Sequence, residues 1–589
     1  MPSVTPESEY RQRLARRNTE IAELARKDNL IGYVRLGVAL GGVFLFWLVF
    51  VHHSGHPLWM LAPIAGFAAL VVMHQRILRG LHTARAAAAF CERGLARLDG
   101  TWPGQGEDGA RFGIADHPYA DSLDLFGRGS LFQLLCTART HSGEECLARW
   151  LLAPAEPGVI ASRQGAIAEL RGQLDLREDL ALLGETVRSG IHPDHLARWA
   201  AAPALLQRRW YRVAAFVLPT FLLAGAVVWS VWDMRIPFLL AFLVQAGFGF
   251  HVRPLVNESA EGLDEPAHEL GLIAELLERI EKEEYQSAHL QSLLSALASE
   301  GLPPSRQIAR LARLFNQLES RHNQFFAPIA AMLLWGTHHT IAIEKWRLAH
   351  GPFIGRWIEA LGEFEALNSL AGYAYEHPAD PFPQVVEGPA LFDGTRLAHP
   401  LLPVSRAVAN SIRLGAEQPL VIISGSNMSG KSTMLRTIGV NTVLAMAGAP
   451  VRGGALTLSR LTLGASIRIV DSLQEGRSRF FAEITRLEKL VELTGGEAPL
   501  LFLLDELLSG TNSHDRRIGA TAVVQGLLKR AAVGVITTHD LALTQMEGLN
   551  LHFEDHFEDG RITFDYQIRP GVVTKSNALE LMRSIGLDV

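Results

Sequence analysis

Four uninterrupted apolar runs break an otherwise amphipathic chain: Leu36–Val51, Leu58–Met73, Val213–Trp232 and Ile236–Val252. They come in two pairs, joined by the short turns HHSGHP and DMR. A helix needs roughly 20 mostly apolar residues to span a bilayer, and about 17 suffice. The pattern predicts two transmembrane helical hairpins. The first pair needs its flanks to reach, and Gln245 with several glycines makes the fourth run the least apolar. The rival arrangement is two buried hairpins in a soluble core, but charge-free runs of this length rarely arrive in pairs there.

Flanking charge sets the expected orientation. Arg11, Arg13, Arg16, Arg17, Arg26, Lys27 and Arg35 precede the first run, and Arg76, Arg79 and Arg85 follow the second. Arg208, Arg209 and Arg212 precede the third, Arg253 follows the fourth, and the turns hold Arg235 alone. Both termini and all large segments are therefore expected in the cytoplasm, in a multi-pass protein with four membrane helices. Trp59, Trp210, Trp229 and Trp232 stand where interfacial belt residues would. The Arg- and Glu-rich residues 1–35 argue against a cleaved signal peptide.

Away from these runs, residues 81–207 and 255–380 carry a helical period, as in Leu270, Ile273, Leu277 and Ile280. Gly and Pro cluster at 100–109 and 376–390, read as linkers. Three segments follow: 1–80 with a leader and the first hairpin, 81–390 as a helical core interrupted by the second hairpin, and 391–589, where strands and helices alternate.

Charge narrows the picture. The 589 residues carry a net charge of −6, not the balance of a protein that coats nucleic acid by charge alone. Residues 391–589 hold 20 basic and 20 acidic residues, whereas 258–300 hold 11 acidic residues against Arg279 and Lys282. The second stretch repels phosphate. Cys91, Cys136 and Cys146 form no close-spaced metal pattern and read as reduced, packed thiols in a reducing compartment.

The sharpest chemistry lies at Gly425-Ser426-Asn427-Met428-Ser429-Gly430-Lys431-Ser432-Thr433, which fits the G-x-x-x-x-G-K-[ST] phosphate loop. The apolar run Pro419–Ser424 precedes it and a helical stretch, Thr433–Ala447, follows. Glycines let backbone amides turn toward phosphate, and the helix N-terminus adds positive potential. Lys431 can reach the β- and γ-phosphates and Ser432 can ligate Mg²⁺, so ATP and Mg²⁺ are the expected cofactors. Downstream, the apolar run from Leu500 ends in Asp505 and Glu506, a Mg²⁺ carboxylate and a carboxylate for the attacking water. A third strand, Val533–Thr538, ends at His539, placed to sense the γ-phosphate.

These residues carry a resemblance to the MutS mismatch-repair family, whose loop is spelled with Asn-Met at these places. Asp471–Glu483 resembles the family segment that places a serine, here Ser478, on the partner subunit's nucleotide. Asp505–Asp515 resembles its D-E-x-x-x-G-T-x-x-x-D, Thr538-His539 its switch histidine, and Phe564–Ser576 its closing strand and loop. Weaker likeness continues at 111–207 and from 305, including Arg396–Pro400. The resemblance implies an α/β P-loop NTPase domain of the ABC/MutS-like kind, with a mostly parallel sheet, beside an all-α core with two transmembrane hairpins. It further implies a homodimer with composite ATP sites: Lys431, Glu506 and His539 catalytic, and Ser432 and Asp505 on Mg²⁺.

The departures are equally specific. Residues before 111 leave no room for mismatch-reading and connector domains, and Phe481-Ala482-Glu483, though spelled like the mismatch wedge, lies inside the ATPase match. Ala407 stands where the family has an adenine-stacking aromatic, and little chain follows Gly586 for C-terminal dimerisation helices. Three classes stay open: a DNA-binding repair or recombination ATPase that does not itself read mismatches, a membrane-bound mechanical ATPase acting on a protein or lipid, and a transporter. The transporter reading is weakest, since the apolar runs hold almost no ionisable residue for a substrate path. Any DNA binding is expected to be weak.

The topology is testable with single cysteines in a chain lacking the three native ones. An impermeant thiol reagent applied to intact cells should label Ser54→Cys and spare Ser3→Cys and Asp588→Cys. Labelling of Asp588→Cys from outside would overturn the orientation.

Overall fold

A computed structural model describes residues 5–183, 193–259, 266–297, 302–426, 428–467, 479–508, 512–558 and 561–573. The chain forms two compact units, one of Met1–Gln105 with Leu174–Thr186 and one of Gly106–Gln173 with Val187–Val589.

The first unit is a long helical hairpin, α1 (Pro6–Phe46) and α2 (Leu61–Asp99). The Thr5 side chain accepts from the Ser8 N–H at the start of α1, and Gly100 in a left-handed conformation ends α2. At about 1.5 Å per residue each helix is roughly 60 Å long, twice the hydrocarbon thickness of a bilayer. The two ends of the hairpin differ in kind. Near the chain's start the helices pack: Tyr10 is buried against Gly94, where a Cβ would fall 2.6 Å from its ring. Glu178, on the helix Leu174–Leu183, is clasped by Arg13 and Arg17 at 2.7 Å each. Toward the turn the side chains become apolar yet exposed, with 6% and 0% of the most apolar stretches of the two helices buried. Asp28 and His74, 2.8 Å apart, mark the border between these halves.

In the second unit the apolar pair is α4 (Arg209–Trp232) and α5 (Ile236–Glu258), following α3 (His141–Leu152). Here too Phe216, Phe221, Leu240, Leu243 and Phe250 are exposed. All four apolar helices are long and apolar enough to cross a membrane by length and composition. Beyond them lie α6 (Pro304–Glu319) and α7 (Trp335–Glu376), a 42-residue spine on which α3, α6, Pro157–Arg171, Pro193–Ala201 and Ala288–Leu297 pack. Small residues let them close in: a Cβ at Gly362 would sit 2.7 Å from the Ser142 carbonyl.

The α/β part holds ten described strands: β1 (Gln384–Val386), β2 (Phe392–Leu397), β3 (Asn410–Leu414), β4 (Leu420–Ser424), β5 (Ala455–Ser459), β6 (Thr462–Ser466), β7 (Leu500–Asp505), β8 (Val533–Thr538), β9 (Leu549–Glu558) and β10 (Arg561–Pro570). A small sheet runs β1-β5-β2-β3, and the main sheet runs β10-β9-β4-β8-β7-β6. The main sheet is parallel except for the β9–β10 pair. Its central strands are continuous apolar runs because helices cover both faces. Those helices are α8 (Lys431–Ala447), α9 (Arg479–Leu493) and α10 (Ser513–Leu528). Gly534 is needed where the Phe502 ring would lie 2.3 Å from a Cβ.

One buried carboxyl ties α3 to the spine. Glu365 on α7 is 5% exposed and accepts hydrogen bonds from the Arg139 N–H at 2.8 Å and the Thr140 hydroxyl. Burial pushes its carboxyl up to about 7, against those hydrogen bonds. The folded value lies above the ordinary 4.5, so the fold favours the protonated acid. Stability from this group is fully present at low pH and is lost as pH rises between about 4.5 and about 7. Melting temperatures across that window should fall less for Glu365→Gln than for the parent; parallel curves would remove the assignment.

Candidate functional site

The site begins where β4 ends. Ser424 closes a strand whose five residues are all buried, and the chain turns at Gly425 with φ +154°. Met428 and Gly430 also take positive φ, at 70° and 105°, before α8 starts at Lys431. Such a loop aims amides and a helix N-terminus at one place. Asn427 lies outside the described residues.

Lys431 is 5% exposed, and its ammonium donates to the Gly425 and Ser426 carbonyls at 2.9 Å each. Burial holds that ammonium below its ordinary value, while Glu506 and Asp505 act in the opposite direction. The Ser432 hydroxyl donates to Asp505 Oδ2 at 2.6 Å, and the Thr537 hydroxyl donates to Asp505 Oδ1. Asp505 is thereby aimed from the end of β7 at the start of α8. Glu506 follows with φ +48°, a conformation costly for a non-glycine residue. Its N–H donates to the Thr537 carbonyl at 3.2 Å. The strained turn leaves the carboxylate 3.9 Å from Lys431 Nζ and 3.5 Å from His539 Nδ1.

Lys431, Ser432, Asp505, Glu506 and His539 thus come together, and Thr433 lines the same cleft. Ser478 and the Gly510-Thr511 step lie outside the described residues. Phe481-Ala482-Glu483 sits on α9, where Glu483 Oε1 accepts the Leu508 N–H at 2.5 Å, so this text belongs to the α/β domain.

The cleft beside the loop measures about 590 Å³. Its walls include residues that sequence reading passed over: Arg406, Val408, Asn410 and Tyr566. Tyr566 has φ +55° and is 44% exposed, and its ring lies 3.2 Å from where a Gly430 Cβ would be. A register shift between Phe564 and Ile568 pushes it out of the β9–β10 ladder. Asn410 replaces the lost ladder bonds, donating to the Tyr566 carbonyl and accepting the Ile568 N–H at 2.9 Å each. His399, on the same wall, is buried, which lowers its pKa to about 4 with help from Arg436; it is neutral and accepts the Leu401 N–H at 3.2 Å. Ser426 and Ser429 each bury a hydroxyl oxygen with no hydrogen-bond partner among the described residues. Phosphate oxygens would fill that need, and Ser432 with Asp505 offers the hard oxygen pair that suits Mg²⁺.

A family model described as MutS domain V matches residues 421–588. Residues 421–588 are thus similar to MutS domain V. The matched MutS segment runs from β4 past β10 and includes the loop, Asp505, Glu506, His539 and Tyr566. Among similar proteins is an Endonuclease MutS2 of Pelotomaculum thermopropionicum, 30% identical over 246 residues, which is 40% of this chain and 30% of that protein. A DNA mismatch repair protein MutS 2 of Halobacterium salinarum is 34% identical over 244 residues, 39% of this chain and 27% of that protein. An Endonuclease MutS2 of Thermus thermophilus is 32% identical over 247 residues, covering 41% and 32%. The chain spans less than a third of the length of these relatives.

Tyr566 offers an aromatic face where Ala407 cannot. Stacking of a base on an aromatic side chain is worth about 1–3 kcal/mol by alanine substitution. Titration with a fluorescent ATP analogue should show Tyr566→Ala binding roughly 5- to 150-fold more weakly. Unchanged affinity would exclude Tyr566 as the base platform.

Proposed function

We propose that this protein is a membrane-anchored ATPase of the MutS type, in which ATP binding and hydrolysis rearrange two paired copies. The observation that carries the reading is the convergence of a buried Lys431, the Ser432–Asp505 pair at 2.6 Å and the strained Glu506 beside His539. Bound Mg²⁺ and ATP would supply an electrophilic γ-phosphoryl group. Lys431 would then exchange its two loop carbonyls for phosphate oxygens. Ser432 and Asp505 would lie in the metal's ligand shell. Glu506 orients the attacking water and receives its proton, and His539, 3.5 Å away, fixes the carboxylate. Ser478 from a second copy would complete the site, making the working unit a homodimer.

Four exposed apolar helices support membrane anchoring, and the basic residues flanking them support placing both termini and the ATPase domain in the cytoplasm. The relatives' names speak of mismatch repair and endonuclease activity, and the region shared with them is about two fifths of this chain. We therefore place this protein in DNA repair or recombination through its ATPase part, without mismatch reading of its own. The exposed apolar helices favour a second reading, a mechanical ATPase that moves a protein or lipid partner in the membrane.

Glu506→Gln should bind ATP with little change and lose about 10²- to 10⁴-fold in turnover, the usual size of a general-base contribution. Steady-state hydrolysis by the detergent-purified protein decides it, and turnover near the parent's would rule the assignment out.

Mismatch reading requires unstacking a base step, at a few kcal/mol, and groups on the protein to offset that cost. Residues 6–99 here are the α1–α2 hairpin, and the region after α5 carries net negative charge. Homoduplex and single-mismatch DNA should compete equally at about 0.15 M salt, with or without ATP. A mismatch preference of about tenfold, near 1.4 kcal/mol, would reveal a reading element.

A further inference from the structure

A recess of about 840 Å³ opens between α5 and residues 320–337. Its walls are apolar along Leu222, Phe242, Phe250 and Met332, and one end is basic, where Arg253 and Arg321 stand beside Asn257. Arg321 donates to Asn257 Oδ1 at 3.1 Å. Among the described residues neither arginine has a carboxylate partner. Burial and the neighbouring Arg253 charge hold the Arg321 guanidinium below its usual range. Two guanidiniums facing one recess without a counter-ion call for an anion.

Depth along α5 says which anion. Arg253 lies roughly 26 Å from Ile236 along the helix, close to one hydrocarbon thickness, so it falls at the cytoplasmic interface when α5 spans. The segment 323–335, NQFFAPIAAMLLW, has no charge. Phe325 is 92% exposed, and Ile329, Met332 and Leu333 are exposed as well. A run this short does not span but suits an interfacial or re-entrant element. It meets α5 at Gln245, whose amide donates to the Ala331 and Met332 carbonyls at 3.3 and 2.6 Å. Those carbonyls end the helix Ala327–Met332, and at hydrocarbon depth they need a protein donor. The recess therefore opens beside apolar surface on one side and headgroup-level arginines on the other. A soluble nucleotide would leave the apolar walls uncovered.

We infer that this recess holds one anionic glycerophospholipid of the cytoplasmic leaflet, its phosphate between Arg253 and Arg321 and its acyl chains along Phe242, Phe250 and Met332. The inference rests on the membrane-anchored reading above. Anionic lipid is concentrated at that leaflet, where each basic residue adds to the attraction.

The test is native mass spectrometry of the full chain released from mild detergent with added phosphatidylglycerol or phosphatidylcholine. The parent should retain phosphatidylglycerol roughly thirtyfold more than phosphatidylcholine, about 2 kcal/mol for two arginines. Arg253→Ala with Arg321→Ala should abolish the preference, and the paired lysine substitutions should keep much of it. Equal retention of both lipids by the parent, or an undiminished preference in the double alanine variant, overturns the site. So does displacement of the preference by millimolar inorganic phosphate, which would mark a free-anion site. Alkaline carbonate extraction separates the two readings: release of the chain from membranes defeats anchoring itself, whereas retention with no lipid preference defeats the lipid site alone.

Discussion

Asp505 receives hydrogen bonds from Ser432 and Thr537, and the site depends on that pair of hydrogen bonds. These bonds join the end of β7 to the first turn of α8 and to the end of β8. A carboxylate held by two hydroxyls has its oxygens pointed before any ligand arrives. Glu506, next in sequence, inherits the geometry. Its backbone is pinned to Thr537 and its φ is forced positive, which turns its side chain toward Lys431 and His539. Two strand ends and one helix start are thus locked by a few polar contacts above a buried apolar sheet. The core beneath, with Phe502, Leu504, Leu490 and Ile536 fully or nearly fully buried, supplies the rigidity that makes a strained turn tolerable.

The same domain is joined to the apolar helices by α7, a single element of 42 residues. Its far end, at Gly336, lies against α5, where a Cβ would be 3.7 Å from Val256, and its near end at Glu376 leads into β1. The Glu365–Thr140 contact and the close approach of Gly362 to Ser142 fix α3 to this spine near the sheet. Ser122 and Arg436 fasten the chain before α3 to the main sheet and α8: the Ser122 hydroxyl donates to the Ala465 carbonyl at 3.2 Å and Arg436 donates to the Ser122 carbonyl at 3.1 Å. Pro352 interrupts the hydrogen-bond ladder of α7 between these two ends.

What the sequence made legible were features dictated by local chemistry. Glycine at 425 and 430, lysine at 431 and the acidic pair at 505–506 sit as the motif requires, because positive φ and strand-end carboxylates leave a residue-level signature. Tyr566 left none. Its place in the cleft comes from a slip in the β9–β10 register and from Asn410, over 150 positions away, and no local pattern encodes that pairing. Glu365 was equally hidden, since a glutamate in a helical period reads as surface until α3 covers it. The likeness at Asp471–Ser478 was legible in sequence but falls outside the described residues.

Gln245 reverses its own meaning between sequence and structure. In the apolar run it counts against membrane spanning, as one polar residue among hydrophobic ones. In the fold it is 5% exposed, and its amide holds the carbonyl end of Ala327–Met332. A short helix leaves its last carbonyls without intrahelical partners, and the Gln245 amide supplies one to them. Replacing the glutamine by leucine would make α5 more apolar and its neighbour less stable. The least hydrophobic of the four apolar helices is therefore the one that also pairs a neighbour's carbonyls, and its composition records that duty.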